Sequence, residues 1–198
     1  MVWYAQNNRL NLAGGISGLR PTCIPTPAIF FGDCQMKRIP LTQGKFAIVD
    51  DEDFERLSKH KWYAWKQGDT YYAVRNIGRK PNRSNERMHR VVMNAQKGQE
   101  IDHINRNGLD NRRCNLRLCT HSQNMGNVKS YKNSSSRFKG VCWNKINKNW
   151  RSYIRINGKM VNLGSFINEV DAARAYDRAA IKYFKEFAYT NFPRTNYA

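Results

Sequence analysis

The order of apolar and polar positions changes period several times along the chain. Residues 37–41 and 46–49 read as two short strands, the second an unbroken apolar run of Phe46, Ala47, Ile48 and Val49. Asp50, Asp51, Glu52 and Asp53 follow at once. Carboxylates there complement the unpaired N–H groups at the start of a helix, which the pattern carries to about Ser58. Aromatic pairs at 62–65 and 71–74 flank Gln67-Gly68-Asp69 and predict a β-hairpin. Residues 88–94 predict a short helix, where His89 reads as a packing or hydrogen-bonding residue. Ile101 and Ile104, an asparagine-rich loop with a glycine, a second alternation at 115–118, and a helix start at Thr120 or Ser122 then fall within thirty residues.

Beyond residue 140 the pattern is clearest. Trp150, Ser152, Ile154 and Ile156 fall on one side of a strand, and Arg151, Tyr153 and Arg155 on the other. Asn157-Gly158 marks a tight hairpin, after which Val161 and Leu163 return on the apolar side. Asn168 caps a helix with a stripe at Ala172, Tyr176, Ala179 or Ala180, and Tyr183. The predicted fold class is α+β, in six parts. Residues 1–35, rich in Gly, Pro and Asn, form a disordered or loosely attached leader, and 36–99 a strand/helix module. Residues 100–128 make a strand–loop–strand–helix unit, and 129–136 a basic, serine-rich linker. Residues 137–193 give a three-stranded antiparallel sheet packed on one helix, followed by a tail at 194–198.

Charge narrows the partner. Thirty-four Lys and Arg against fifteen Asp and Glu give a formal net charge of +19 over 198 residues, 12% of them aromatic. That balance points to a polyanion, and to nucleic acid in particular. The excess is spread as +7 over 36–99, +3 over 100–133 and +7 over 137–193, so basic segments flank the central unit. The five cysteines are an odd number and contain no CxxC pair, which argues against a disulfide framework and for a reducing, cytoplasmic compartment. No apolar run approaches membrane-spanning length, and the first residues lack the order of a signal peptide.

The central unit is too small to bury a core of its own, so an ion or a neighbouring domain is expected to support it. Asp102-His103, Asn115 twelve residues after the histidine and Asn124 twenty-one after it resemble the HNH (ββα-metal) nuclease motif. The phage-type homing endonuclease branch, with Asn at the last position, is the nearer match, and Asn111-Arg112-Arg113-Cys114-Asn115-Leu116-Arg117 is also similar to that family. The resemblance implies Asp102 and Asn124 as metal ligands and His103 as general base. It also implies that Asn115 braces the loop and helps hold the histidine. Hard oxygen donors suit one Mg²⁺ or Mn²⁺ ion better than Zn²⁺. Arg112 and Arg113 are candidates to clamp phosphates. A zinc knuckle from Cys114, Cys119 and His121 is the weaker alternative, since strand alternation turns these groups apart.

The C-terminal unit carries a second resemblance. Phe138-Lys139-Gly140-Val141, Trp150, Ile154-Arg155, Leu163-Gly164-Ser165-Phe166, the 169–177 helix start and Asn191-Phe192-Pro193 resemble the APETALA2/ERF DNA-binding domain. In that family the free face of the sheet lies in the major groove of double-stranded DNA. The resemblance places Lys139, Cys142, Asn144, Tyr153, Arg155, Met160 and Asn162 toward DNA, with Arg151 beside them. Together these features predict a homing-type endonuclease targeted by its C-terminal domain, which when deleted would leave some cutting. One Asp-His-Asn-Asn set, and no heptad to pair two chains, predict a monomer that nicks one strand. The alternative is a sequence-specific regulator with a degenerate nuclease motif.

Overall fold

In the computed structural model, described for residues 36–130 and 134–197, strands β1 (Met36–Pro40) and β2 (Phe46–Asp50) pair antiparallel and lead into helix α1 (Asp51–Ser58). The leader expected over 1–35 and the middle of the linker, 131–133, lie outside the described residues. Strands β3 (Tyr63–Gln67) and β4 (Thr70–Ile77) form the aromatic hairpin, and β5 (Ser84–Arg87) adds a third strand in the order β3-β4-β5. No hydrophobic period announces β5, because all four of its side chains are polar. It is held by its backbone ladder and by Arg75, paired with Glu86 at 2.6 Å. Helix α2 (Met88–Val92) follows, then β6 (Glu100–His103), β7 (Leu116–Cys119) and α3 (His121–Asn127).

These two parts of the chain are not separate bodies. Ile39, Val49, Leu57, Trp62, Met88, Val92, Ile101 and Leu116 belong to one buried core, so residues 36–99 supply most of the apolar cover that β6 and β7 lack. Strand β2 also reaches into the loop between β6 and β7, with Ile48 N–H donating to Leu109 O at 2.8 Å and Asn111 N–H to Ile48 O at 2.7 Å. Covering the small unit with a neighbour meets the need that its length created.

Strands β8 (Val141–Asn144), β9 (Asn149–Ile156) and β10 (Lys159–Phe166) form an antiparallel sheet in the order β10-β9-β8, with helix α4 (Glu169–Phe184) across one face. The alternation of β9 holds: Ser152 and Ile154 are buried and Arg151 and Arg155 exposed. On α4 the buried stripe is Ala172, Ala173, Tyr176, Ala179, Ala180 and Phe184. Tyr183, expected on that stripe, is 46% exposed, because Phe184 takes the inward position in the last turn. The alanines let the helix approach closely. Gly140, at φ +74°, lies so near α4 that a Cβ would sit 1.9 Å from the Tyr176 ring. Asp177 is fully buried and accepts from Asn191 N–H at 2.8 Å, Phe192 N–H at 2.9 Å and the Tyr197 hydroxyl at 2.8 Å. The expected tail is thus fastened through a short 3-10 turn (Arg194–Tyr197).

The described residues belong to one compact unit. The nuclease-like motif and the C-terminal sheet share packing where the linker reading separates them. Gly126 of α3 lies bare against Phe184, with a Cβ at only 2.9 Å from that ring. Cys119 packs into the cluster of Ile154, Tyr176, Phe184 and Phe187. The Lys139 ammonium donates to Met125 O at 3.1 Å and Gly126 O at 2.6 Å, and Tyr189 N–H donates to Gly126 O at 3.1 Å. Carbonyls at a helix C-terminus lack intrahelical partners, and a cation is favoured there. Truncation at residue 136 therefore strips α3 of its cap and of the Phe184 contact. The expected outcome is loss of cooperative unfolding together with all cutting, read by circular dichroism melting and a plasmid assay. A folded truncation that still cuts would restore the separable arrangement.

Candidate active site

Helix α3 is seated against β6 from both ends. Thr120 caps it by accepting from Gln123 N–H at 3.2 Å, while Gln123 Oε1 accepts from Thr120 N–H at 2.8 Å, a reciprocal capping box. Glu100, at the start of β6, binds the first turn: its carboxylate meets His121 Nδ1 at 2.9 Å and accepts from Asn124 Nδ2 at 2.9 Å. Those bonds, Asn124's foremost, hold the Glu100 carboxyl below its usual range.

Asp102 lies two residues further along the same face of β6, and one helical turn past Asn124 is Asn127. Asn127, not the expected Asn124, is the residue at Asp102. Its Nδ2 lies 2.9 Å from Asp102 Oδ1, 3.1 Å from Oδ2, 3.0 Å from His103 O and 3.4 Å from Ile104 O. Two residues of strand advance about 6.6 Å and three of helix about 4.5 Å, so α3, lying along β6, matches 100 with 124 and 102 with 127. Nothing in the sequence marks which of the two asparagines faces which carboxylate. The second partner of Asp102 is Arg117, opposite it in the β6–β7 register, with Nη2 at 2.7 Å and Nε at 2.9 Å from Oδ2. The C-terminal unit fixes that guanidinium in turn. It lies 3.9 Å from the centre of the Phe187 ring and donates from Nη1 to Glu186 O at 3.0 Å.

His103 is buried, and its Nε2 has no hydrogen-bond partner among the described residues. Burial lowers its pKa below the ordinary histidine value, opposed by Asn111 and by the carboxylates of Asp102 and Asp110. Its ring stands 5.0 Å from that of His89 and 5.8 Å from that of Tyr72. His89, equally buried, thus packs directly on the histidine of the motif. Asn115 braces the loop: its Oδ1 accepts from Asn105 N–H at 3.0 Å, and its Nδ2 donates to Asn105 Oδ1 at 3.0 Å and Asp110 O at 2.8 Å. Asn111, fully buried between that loop and the imidazole, is the nearer influence on His103. Gly108 completes the turn where a Cβ would meet Tyr71 O at 2.5 Å and the Tyr72 ring at 2.7 Å.

Arg112 and Arg113, the candidate phosphate clamps, are both engaged by carboxylates. Arg112 forks onto Asp110, with Nε at 2.8 Å and Nη2 at 2.7 Å. Arg113 joins Asp53 at 2.9 and 3.0 Å and Glu52 at 2.7 Å, and its N–H donates to Asp50 at 2.7 Å. The acidic run therefore anchors the loop, and Asp50 makes no side-chain cap on α1. Asp50, Glu52 and Asp53 are the one group of acidic, His or Cys side chains near enough to share an ion among the described residues, but Arg113 and Arg56 already balance them. Cys114, Cys119 and His121 do not gather.

On the C-terminal sheet, the register aligns Cys142 with Arg151, Asn144 with Asn149, Met160 with Arg155 and Asn162 with Tyr153, all on the face away from α4. Lys139 departs from this group, since its ammonium turns toward α3.

Comparison with known proteins bears on both regions. An HNH endonuclease family profile matches residues 86–126. An HNH endonuclease of Acanthamoeba polyphaga mimivirus is 33% identical over 156 residues, 75% of this chain and 76% of the relative. The chain belongs to the HNH endonuclease family. Protein 3.8 of Escherichia phage T7 is 39% identical to this endonuclease over 69 residues, 35% of the chain and 57% of the relative. APETALA2-like protein 2 of Oryza sativa subsp. indica is 43% identical over 65 residues, 32% of the chain and 15% of the relative. Among the described residues of the endonuclease, no helix is long and apolar enough to cross a membrane.

Burial beside His103 pushes the His89 pKa down from 6.5 to about 3. The folded endonuclease keeps His89 neutral, whereas the unfolded chain protonates it below pH 6.5. Its contribution to stability is therefore intact above pH 6.5 and lost as pH falls toward 3. Between pH 7 and 5 the expected loss from this group is about 2 kcal/mol, at about 1.4 kcal/mol per pH unit. Denaturant melts at the two pH values, compared with His89→Phe, check this: the variant should lose less stability over that interval.

Proposed function

We propose that this endonuclease hydrolyses phosphodiester bonds of double-stranded DNA with one Mg²⁺ or Mn²⁺ ion, and that its C-terminal sheet holds the duplex. The observation carrying the reading is the set of oxygens around Asp102 beside a buried, neutral histidine. Four oxygen acceptors converge on one amide nitrogen of Asn127, which has two protons to give. Hard oxygens of this kind fit a divalent cation; Asp102 would hold it, joined by Asn127 when its amide turns to present Oδ1 in place of Nδ2. The ion, when bound, supplies charge neutralisation at the scissile phosphate and the departing oxygen.

The protein's own groups have distinct tasks. His103, neutral at pH 7, can take a proton from the attacking water. Asn115 and Asn111 keep the loop that follows it from shifting, and Arg117 orients the Asp102 carboxylate. On the free face of the sheet, Arg151 and Arg155 present exposed cations, with Tyr153, Met160 and Asn162 between them for contact with base edges. Cys142 and Asn144 border that face.

His103→Ala is expected to lower the single-turnover rate at least about 100-fold while leaving the DNA dissociation constant within threefold. Asp102→Ala should lose both rate and dependence on the added ion. Undiminished cutting by either variant would defeat the assignment. Because burial lowers the folded His103 pKa below its ordinary value, the rate at saturating Mg²⁺ should decline with a midpoint below pH 6.5 as pH falls. A decline centred at or above pH 6.5 would show that another group is the base.

One catalytic set addresses one scissile phosphate at a time, which supports a monomer that nicks. Supercoiled plasmid carrying the target should accumulate as open circles at limiting enzyme. Direct conversion to linear product, second order in enzyme, would show a dimer that cuts both strands.

A further inference from the structure

A cavity of about 420 Å³ opens between the motif and the C-terminal segment. Asn127 and Arg117, the two residues on Asp102, line it on one side, and Tyr189 and Arg194 on the other, with Arg106 at its edge. Three arginines face a single acidic side chain there, Glu186.

Arg106 is the unusual member. It sits in the turn just after the Asp-His pair, exposed, at φ +64°, a left-handed conformation that glycine or asparagine adopts far more readily. Its N–H donates to His103 O at 2.8 Å, so its backbone is tied to the catalytic strand. Its guanidinium lies 4.3 Å from the centre of the Tyr189 ring, and among the described residues no carboxylate pairs with it. Arg112, Arg113 and Arg117 all have such partners. The Tyr189 ring, covered by Arg106, has that face closed to a stacked base and serves to orient the guanidinium. Arg194 donates to Lys185 O, and to Ala188 O at 3.2 Å, and so fixes the chain turn that carries Tyr189.

We infer that this cleft binds the DNA strand being cut, and that Arg106, held on Tyr189, receives a phosphate flanking the scissile one. A planar guanidinium with an open hydrogen-bonding edge suits a phosphodiester. The inference rests on the proposed hydrolysis at Asp102, and it makes the C-terminal unit one wall of the active site. Arg106 is a positioning residue: it holds the strand and does not touch the bond that breaks.

The test uses the full chain and a duplex with a mapped cut position. Single-turnover cutting is started by adding Mg²⁺, and the wild-type arm reports separately on metal-dependent cutting. Arg106→Gly removes the guanidinium while easing the left-handed backbone. The expected result is a rate at least tenfold lower, an affinity within threefold, and an unchanged or higher melting temperature. Tyr189→Leu should lower the rate at least threefold, and Tyr189→Phe should not. A neutral methylphosphonate at one phosphate beside the cut should slow the wild type about as much as Arg106→Gly does, and should slow that variant no further. Cutting by Arg106→Gly within twofold of wild type would overturn the inference. So would a rate loss tracking a lowered melting temperature, or one fully additive with a methylphosphonate at every flanking position.

Discussion

The placement of helix α3 on strand β6 is the constraint on which the site depends. Strand β6 supplies Asp102 and His103, β7 brings Arg117 to the Asp102 carboxylate, and the helix brings Asn127 to it. Seven residues are too few for a helix to persist by itself. Thr120 and Gln123 close its first turn, Glu100 ties that turn to β6, and Lys139 with Tyr189 N–H closes the other end. Phe184 presses on Gly126, where no side chain larger than hydrogen fits. The last two contacts come from the C-terminal unit. The geometry around Asp102 and His103 is thus completed by Lys139, Phe184 and Tyr189, which lie beyond α3 in the chain.

Burying Lys139 for this purpose has a physical cost. Loss of water, and the nearby Arg106 charge, push its pKa down from 10.5 to about 7. What offsets the cost is local: two carbonyls at the negative end of a helix, and the rings of Tyr176 and Tyr189, each 5.8 Å from the ammonium. A lysine in a DNA-binding resemblance is naturally read as a phosphate contact. Here the same charge is used inward.

The elements most legible in the sequence were those whose period is carried by several residues at once. Arg151, Tyr153 and Arg155 against Ser152 and Ile154 determine both a strand and its exposed face, and Asn157-Gly158 fixes the partner strand. Asp102 and His103 were legible because they are adjacent and sit in an apolar strand. Asn127 was not, since the choice between it and Asn124 depends on how the helix lies along β6. Strand β5 has no apolar period, and Tyr183 was displaced by a neighbour one position on. The pairing of Arg113 with Asp53, sixty residues apart, and of Arg117 with Phe187, leaves no local trace at all. Long-range polar contacts are the part of a fold that single-sequence patterns carry least.

The same distinction governs what a charge of +19 can do. Counted along the chain, the central unit has four arginines that could meet phosphate. In the fold, Arg112, Arg113 and Arg117 are each held by carboxylates, whereas among the described residues none pairs with Arg106. Counterion release, and hence the salt dependence of binding, depends on cations that actually meet phosphates. The total charge therefore overstates the number of contacts. The cations left unmatched around the site lie on two surfaces, the sheet face with Arg151 and Arg155 and the cleft edge with Arg106. Both surfaces belong to one packed unit, joined through Lys139, Phe184 and Phe187. On the proposed function, a duplex held on the sheet would meet the cleft at a set distance and angle, and the fold itself would fix where the cut falls.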